Sequence, residues 1–230
     1  DGDYHSQGLY SSQIFGKVGE HVRQTKHSFI DMHTEIMHPK IFLELTRLKA
    51  MYRKIMAGTV YAEWDKNLKD FVKSDILDGE TGYGFFMTHF EEIVFKRNES
   101  SIRDLRVTLL DNERQKCMYQ YMVVMPAGLR DLEISDDGRP VEDDINALYR
   151  KVLRISNTIA VGEGNPNTPL LNTARWNLQL TFNEIYQYVE DIISNKKGFI
   201  LKKWGSRNVH GATRNVITAM DPSPEVLGDP

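Results

Sequence analysis

Two runs of apolar residues dominate the second half of the chain. Ile145, Leu148, Val152, Ile155 and Ile159 step by 3, 4, 3 and 4, the spacing that keeps a seam facing a partner helix. The breaker-rich stretch "VGEGNPNTP" (161–169) interrupts this stripe, and Leu171, Ala174, Leu178, Phe182, Ile185, Val189 and Ile192 resume it. Two seams joined by Gly and Pro predict an antiparallel helical hairpin whose second arm, about 24 residues, spans roughly 36 Å. The hairpin either packs into the core through a second face or projects to dock a partner. Trp176, Tyr186 and Tyr188 lie outside the two-helix seam, and aromatics in such places favour projection.

The first half is more mixed. Residues 1–20, rich in Gly and Ser, read as an irregular arm, and Val22 to Ile36 alternates enough to predict a strand. His38-Pro39 opens a helix, since Pro at a first helical position removes an N–H that has no partner there. Ile41, Leu45, Leu48, Tyr52 and Ile55 form its apolar stripe, and Gly58 ends it. Further helices are expected at 62–77, 84–96 and 100–115. "YQYMVVM" (119–125), ended by Pro126, predicts a buried strand. Residues 126–144, with seven acids, two Pro and two Gly, predict an exposed loop. The expected fold class is α+β, mostly helical, with small irregular β elements.

Composition sets limits on this picture. At 230 residues the chain makes one large domain or two small ones, with 40% apolar and 27% charged residues. No apolar run reaches the ~18 residues of a membrane span, so no membrane partner is expected, and no signal peptide leads the chain. A single cysteine, Cys117, excludes a disulfide framework and a thiolate zinc site, and it suits a reducing cytoplasm. A chain that starts with Asp rather than Met fits a piece of a longer product. The net charge of −3 argues against a DNA-coating protein but leaves room for a local basic patch.

That patch exists. "KKGFILKKWGSRNVHGATR" (196–214) carries Lys196, Lys197, Lys202, Lys203, Arg207 and Arg214 without one acid. Gly198, Gly205 and Gly211 allow close backbone approach, and Trp204 and His210 add flat faces, a pattern that reads as a phosphate-contacting loop. The plain alternative is a solvated basic loop. Nothing looks catalytic. His21, His27, His33 and His38 are spaced by six, six and five, which suits no metal site. Asp1-Gly2-Asp3 and Asp78-Gly79-Glu80 read as a chain end and a turn. Asn98-Glu99-Ser100 is a chance glycosylation match in a chain without a signal peptide.

Four stretches, in order, resemble the largest (β′) subunit of multisubunit RNA polymerases. "GLYSSQIFG" (8–16) is similar to the family's G-L-F-[CS]-x-x-I-F-G element, and "MPAGLRDL" (125–132) to its lid, P-P-P-x-L-R-P. "DDINALYRKVLRISN" (143–157) resembles the start of the clamp helices. "GSRNVHGATRNVITAMDP" (205–222) resembles the switch segment G-K-R-V-D-[YF]-[SG]-[GA]-R-[ST]-V-I-[ST]-x-D-P, with Arg207 in place of the Lys and Asp221-Pro222 in register.

The departures are specific. The zinc module is missing, the rudder shrinks to about "SNKKG", and Asn208 replaces an Arg. Ile155 and Thr158 stand at basic positions that hold a σ factor in the family, which implies a non-standard initiation factor. The magnesium-binding N-A-D-F-D-G-D motif is absent from the 230 residues, so Mg2+ would be held by another segment or subunit. This combination looks like the split, zinc-free β′ of giant-bacteriophage polymerases.

The resemblance implies a clamp core at 1–125, a lid at 126–142, a clamp-helix hairpin at 143–195 and a switch-like basic segment at 196–230. Lys202, Lys203, Arg207, Asn208 and Arg214 would contact template DNA and the RNA–DNA hybrid. Pro126, Leu129 and Arg130 would belong to the lid. Arg150, Arg154, Asn157, Glu163 and Arg175 would dock the initiation factor. The implied partners include β-like pieces and a C-terminal β′ piece, in the host cytoplasm or a virion. The rival reading is a non-enzymatic helical adaptor that binds nucleic acid or protein through hairpin and basic tail. A truncated piece of a single-chain polymerase is the third.

Overall fold

The computed structural model describes residues 4–162 and 168–217. It divides into two units, Asp1–Tyr188 and Val189–Pro230. About half of the chain is helical and the sheets are small, an α+β fold. Among the described residues, no helix is long and apolar enough to cross a membrane.

The N-terminal arm is more ordered than its composition predicts. Ser11 caps a short helix, α1 (Ser12–Phe15), and Phe15 is buried. A second turn, α2 (Val22–Thr25), occupies the start of the expected strand, so β1 begins later (Ser28–Met37). α3 (Pro39–Leu48) starts at His38-Pro39 as expected, with His38 Nδ1 accepting from the Lys40 N–H at 3.2 Å. The expected long helix is broken at Lys49, which is extended, and continues as α4 (Ala50–Met56). Lys49 Nζ donates to Asp70 Oδ2 at 2.7 Å and to the Phe71 carbonyl at 2.9 Å, which ties the break to the next element. Gly58, at φ +74°, closes α4 in the left-handed region that favours glycine.

The helix expected at 62–77 is instead a β-hairpin, β2 (Ala62–Asp65) and β3 (Asp70–Lys73). Asp65 Oδ1 accepts from the N–H groups of Asn67 (2.8 Å) and Leu68 (3.1 Å), building a side-chain turn that competes with helix. α5 (Tyr83–Phe90) is shorter than expected, and α6 (Ser101–Glu113) agrees with its expected span to within two residues. β4 (Met118–Val124) pairs antiparallel with β1, with a bulge between Asp31 and Ile36. It is not a buried strand. Met122 and Val124 face inward, while Tyr119, Tyr121 and Val123 face solvent. Residues 126–144 hold a 3-10 turn and a small exposed hairpin, β5 (Glu133–Ile134) and β6 (Pro140–Val141), yet Ala127 and Arg130 within them are buried.

The main core gathers α3, α4, α5 and α6 around Leu45, Tyr52, Ile55, Phe86, Phe90 and Leu110, with Phe71 stacked on Phe86 at 5.1 Å. The helical hairpin forms as predicted from α7 (Asp144–Val161) and α8 (Pro169–Ser194). Lys151 Nζ lies 3.1 Å from Glu184, and Gly162 packs against Leu171, fixing the antiparallel pairing.

Projection, however, is not what the aromatics do. Trp176 packs on Phe42 (5.8 Å) and Tyr186 meets His38 edge-on (5.2 Å). Buried Gln179 accepts from the Met37 N–H (2.7 Å) and Tyr83 Oη (2.9 Å), and it donates back to the Met37 carbonyl (2.8 Å). Asn172 Oδ1 accepts from the Gly84 N–H at 2.9 Å. On α7, Ser156 Oγ donates to the Asp31 carbonyl at 2.6 Å. The hairpin is thus built into the first unit from Asn146 to Ser156 and from Asn172 to Tyr186. A fully satisfied amide such as Gln179 inside a core fixes one docking position for α8.

Candidate nucleic-acid and partner interface

In the second unit, the Gly198 N–H donates to the Asn195 carbonyl and a single π-helical turn follows, Phe199–Trp204. The Gly205 N–H closes that turn on the Ile200 carbonyl at 2.7 Å. A Cβ at Gly198 would come within 2.9 Å of the Asn195 backbone, so this close approach needs glycine. From Phe199 to Ile217 every residue is exposed, including Lys202, Lys203, Arg207, Asn208 and Arg214. Within this unit, among the described residues, none of these cations pairs with an acid. Trp204 is 70% exposed beside them. Asp221-Pro222, at the end of the family-like motif, lies outside the described residues.

The expected lid residues part company. Pro126 precedes the 3-10 turn and Leu129 is exposed, but Arg130 is 1% exposed. Its Nε donates to the Met125 carbonyl (2.9 Å), one Nη to Asn146 Oδ1 (2.8 Å) and the other to the Leu9 carbonyl (2.8 Å). The rings of Phe15, Tyr149 and Tyr10 lie 5.2–5.6 Å from its guanidinium carbon. Burial pushes its pKa down, but an arginine stays charged. Beside it, Arg23 forks onto Asp131 at 2.8 and 2.6 Å and donates to the carbonyls of Gly16 and Tyr10. Arg130 is therefore occupied with holding the arm, the lid-like turn and α7 together, and is not open to a nucleic acid.

The hairpin residues also divide. Arg150 is paired in bidentate fashion with Glu142, which also accepts from Tyr10 Oη (3.0 Å). Burial and this bond to Glu142 raise the Tyr10 pKa to about 12. Arg154 and Asn157 are exposed on the same α7 face. Arg175 is half-buried at a cleft of about 430 Å3 that Tyr83, Met87 and Met118 also line. Glu163 lies outside the described residues.

Among the described residues, no three His, Cys, Asp or Glu side chains come together in a way that could hold a metal ion. His38 caps α3, with burial lowering its pKa, and His27 meets Phe29 edge-on. The Asp1-Gly2-Asp3 stretch lies outside the described residues, and Glu80 bridges Ala62 at a turn. No protein-family model matches the chain, and no curated protein sequence matches it.

Sequence reasoning missed the buried arginines and Gln179. The signal for Arg130 was the set of aromatics Tyr10, Phe15 and Tyr149, scattered over three distant segments. No local pattern announces it.

Proposed function

We propose that the chain is an N-terminal β′-like piece of a multisubunit DNA-dependent RNA polymerase. It would supply clamp, lid and template or hybrid contacts, while catalysis and its Mg2+ belong to another segment or subunit. The observation that supports this reading most is the fully exposed, acid-free run Phe199–Ile217, which leads into and overlaps the last of four motifs that occur in the family's order. Lys202, Lys203, Arg207 and Arg214 would position phosphates and carry no base information, as a polymerase that accepts any template requires. Arg154 and Asn157 would contribute to docking a non-standard initiation factor. Leu129 would face the separating strands.

The test is co-purification from the native source. Partners that include a D-F-D-G-D segment and β-like pieces support the polymerase. A lone monomer that binds nucleic acid by itself favours the adaptor.

A further inference from the structure

Helix α6 is apolar on two sides. Val107 and Leu110 point into the core, while Ile102, Leu105 and Leu109 on the other side are 62%, 70% and 39% exposed. Their steps of 3 and 4 are those of a helix–helix seam. Two hollows lie along this seam between α3 and α6, and Leu109 is a wall of both. One, of about 290 Å3, is bounded by Glu44, Ile102, Leu105 and Arg106. The other, of about 260 Å3, is bounded by Ile41, Glu113, Cys117 and Tyr119 among others. Both are mostly apolar, and both are smaller than the roughly 300 Å3 at which small-molecule sites begin. Apolar walls offer nothing to phosphates.

The charges on this face match one another. Arg106 Nε lies 2.7 Å from Glu44 without forming a hydrogen bond. Glu113, two turns along on the same edge of α6, is exposed and has no ion partner among the described residues. Leu109 lies between them, three residues from Arg106 and four from Glu113. A two-fold axis at Leu109 that sets two α6 helices antiparallel lays Ile102 and Leu105 of each copy over the hollow beside Tyr119 of the other. The same rotation brings Arg106 of each copy next to Glu113 of the other. A face that meets its own image in shape and in charge is what an isologous dimer requires.

We infer that this face joins two copies of the chain through an antiparallel α6–α6 contact. From Ile102 to Glu113 the seam is about 16 Å long by the helical rise. That length places the contact at the small end of specific interfaces, where association is weak and reversible. The inference goes beyond the polymerase reading and does not rest on it, because self-association is measured on the chain alone.

Sedimentation equilibrium of the full chain, from micromolar to near-millimolar concentration, tests it. Wild type should pass reversibly from monomer to dimer. Leu105→Glu, at an exposed position, should stay monomeric throughout with its thermal midpoint unchanged. Arg106→Glu and Glu113→Arg should each weaken the dimer roughly five-fold, the worth of two exposed ion pairs. Mixed in equal amounts, these two variants should associate more tightly than either alone, because the mixed dimer sets unlike charges together at both ends. A wild-type chain that is monomeric up to about 1 mM, a dimer indifferent to Leu105→Glu, or a mixture no tighter than its components would overturn the assignment. So would a different protein found on this face of a chain that is monomeric by itself.

Discussion

Two groups of cations in this protein are treated in opposite ways. Arg23 and Arg130 are each 1% exposed, and every nitrogen of both side chains donates to an acceptor. Lys202, Lys203, Arg207 and Arg214 are exposed and, within their unit, meet no acid among the described residues. A guanidinium leaves water only where its whole donor fork is matched, because an unpaired buried charge costs several kcal/mol. The first pair is therefore structural. The second group keeps its full capacity for an anion from outside. Residue type alone does not tell the two apart, and "GLRDL" and "GSRNV" look equally solvated on the page.

The contrast can be broken most forcefully at Arg130. Arg130→Ala strands Asn146 Oδ1 and the carbonyls of Leu9 and Met125, and at about 1–3 kcal/mol for a buried acceptor left unpaired it should lower the unfolding free energy by roughly 3 kcal/mol or more. Urea denaturation measures this, and a loss below about 1 kcal/mol would put both groups on the same footing. Next comes Gln179→Leu, which removes an uncharged buried group and leaves the Met37 peptide groups unpaired. A loss of roughly 2–3 kcal/mol is expected. A near-neutral result would mean that α8 is not docked on β1.

A half-exposed ion pair should fall in between. Bonds from Arg150 and then Tyr10 hold the Glu142 carboxyl below its ordinary value near 4.5. A depressed folded pKa stabilises above that ordinary value, and the contribution is lost as pH falls through the folded one. Because both side chains touch solvent, wild type should exceed Glu142→Gln by less than about 1 kcal/mol at neutral pH. The difference should vanish in acid. A gap that widens on acidification would contradict the assignment.

Smallest on stability, and sharpest for function, are Arg207→Ala and Arg214→Ala. Each should shift stability by no more than about 0.5 kcal/mol. In the assembled complex, each should flatten log affinity against log salt by roughly 0.7–0.9 per lost phosphate contact. Filter binding of an RNA–DNA scaffold across a salt series measures it. An unchanged slope in both variants leaves the basic run as a solvated loop.

How much of this was legible depended on the range of the forces involved. The α7–α8 hairpin and the start of α3 were readable, because seam spacing and His38-Pro39 act within a few residues. The break at Lys49 was not, since it depends on Asp70 and Phe71 across the core. The hairpin at 62–73 was misread as helix. Its cue was present in Asp65 followed by Asn67, a side-chain turn whose hydrogen bonds override helix propensity. Projection of the hairpin was misjudged because Trp176 and Tyr186 look the same in sequence whether they meet a partner or Phe42 and His38. For the candidate site, the exposed run at 199–217 was readable from its charge alone, whereas the commitment of Arg130 and Arg150 to internal partners was not.

The way the N-terminal arm is held also sets a timetable for making the protein. Leu9 accepts its hydrogen bond from Arg130, 121 residues later, and Arg23 finds Asp131 only 108 residues on. β1 likewise waits for β4. On the ribosome the arm therefore emerges well before the residues that hold it. At ordinary synthesis rates of about 5–20 residues per second, the arm and β1 spend several seconds without their partners. Over that interval Phe15 and Ile30 remain open to chaperones, and folding of the first unit waits for residues 118–131 and for the helical hairpin that follows them.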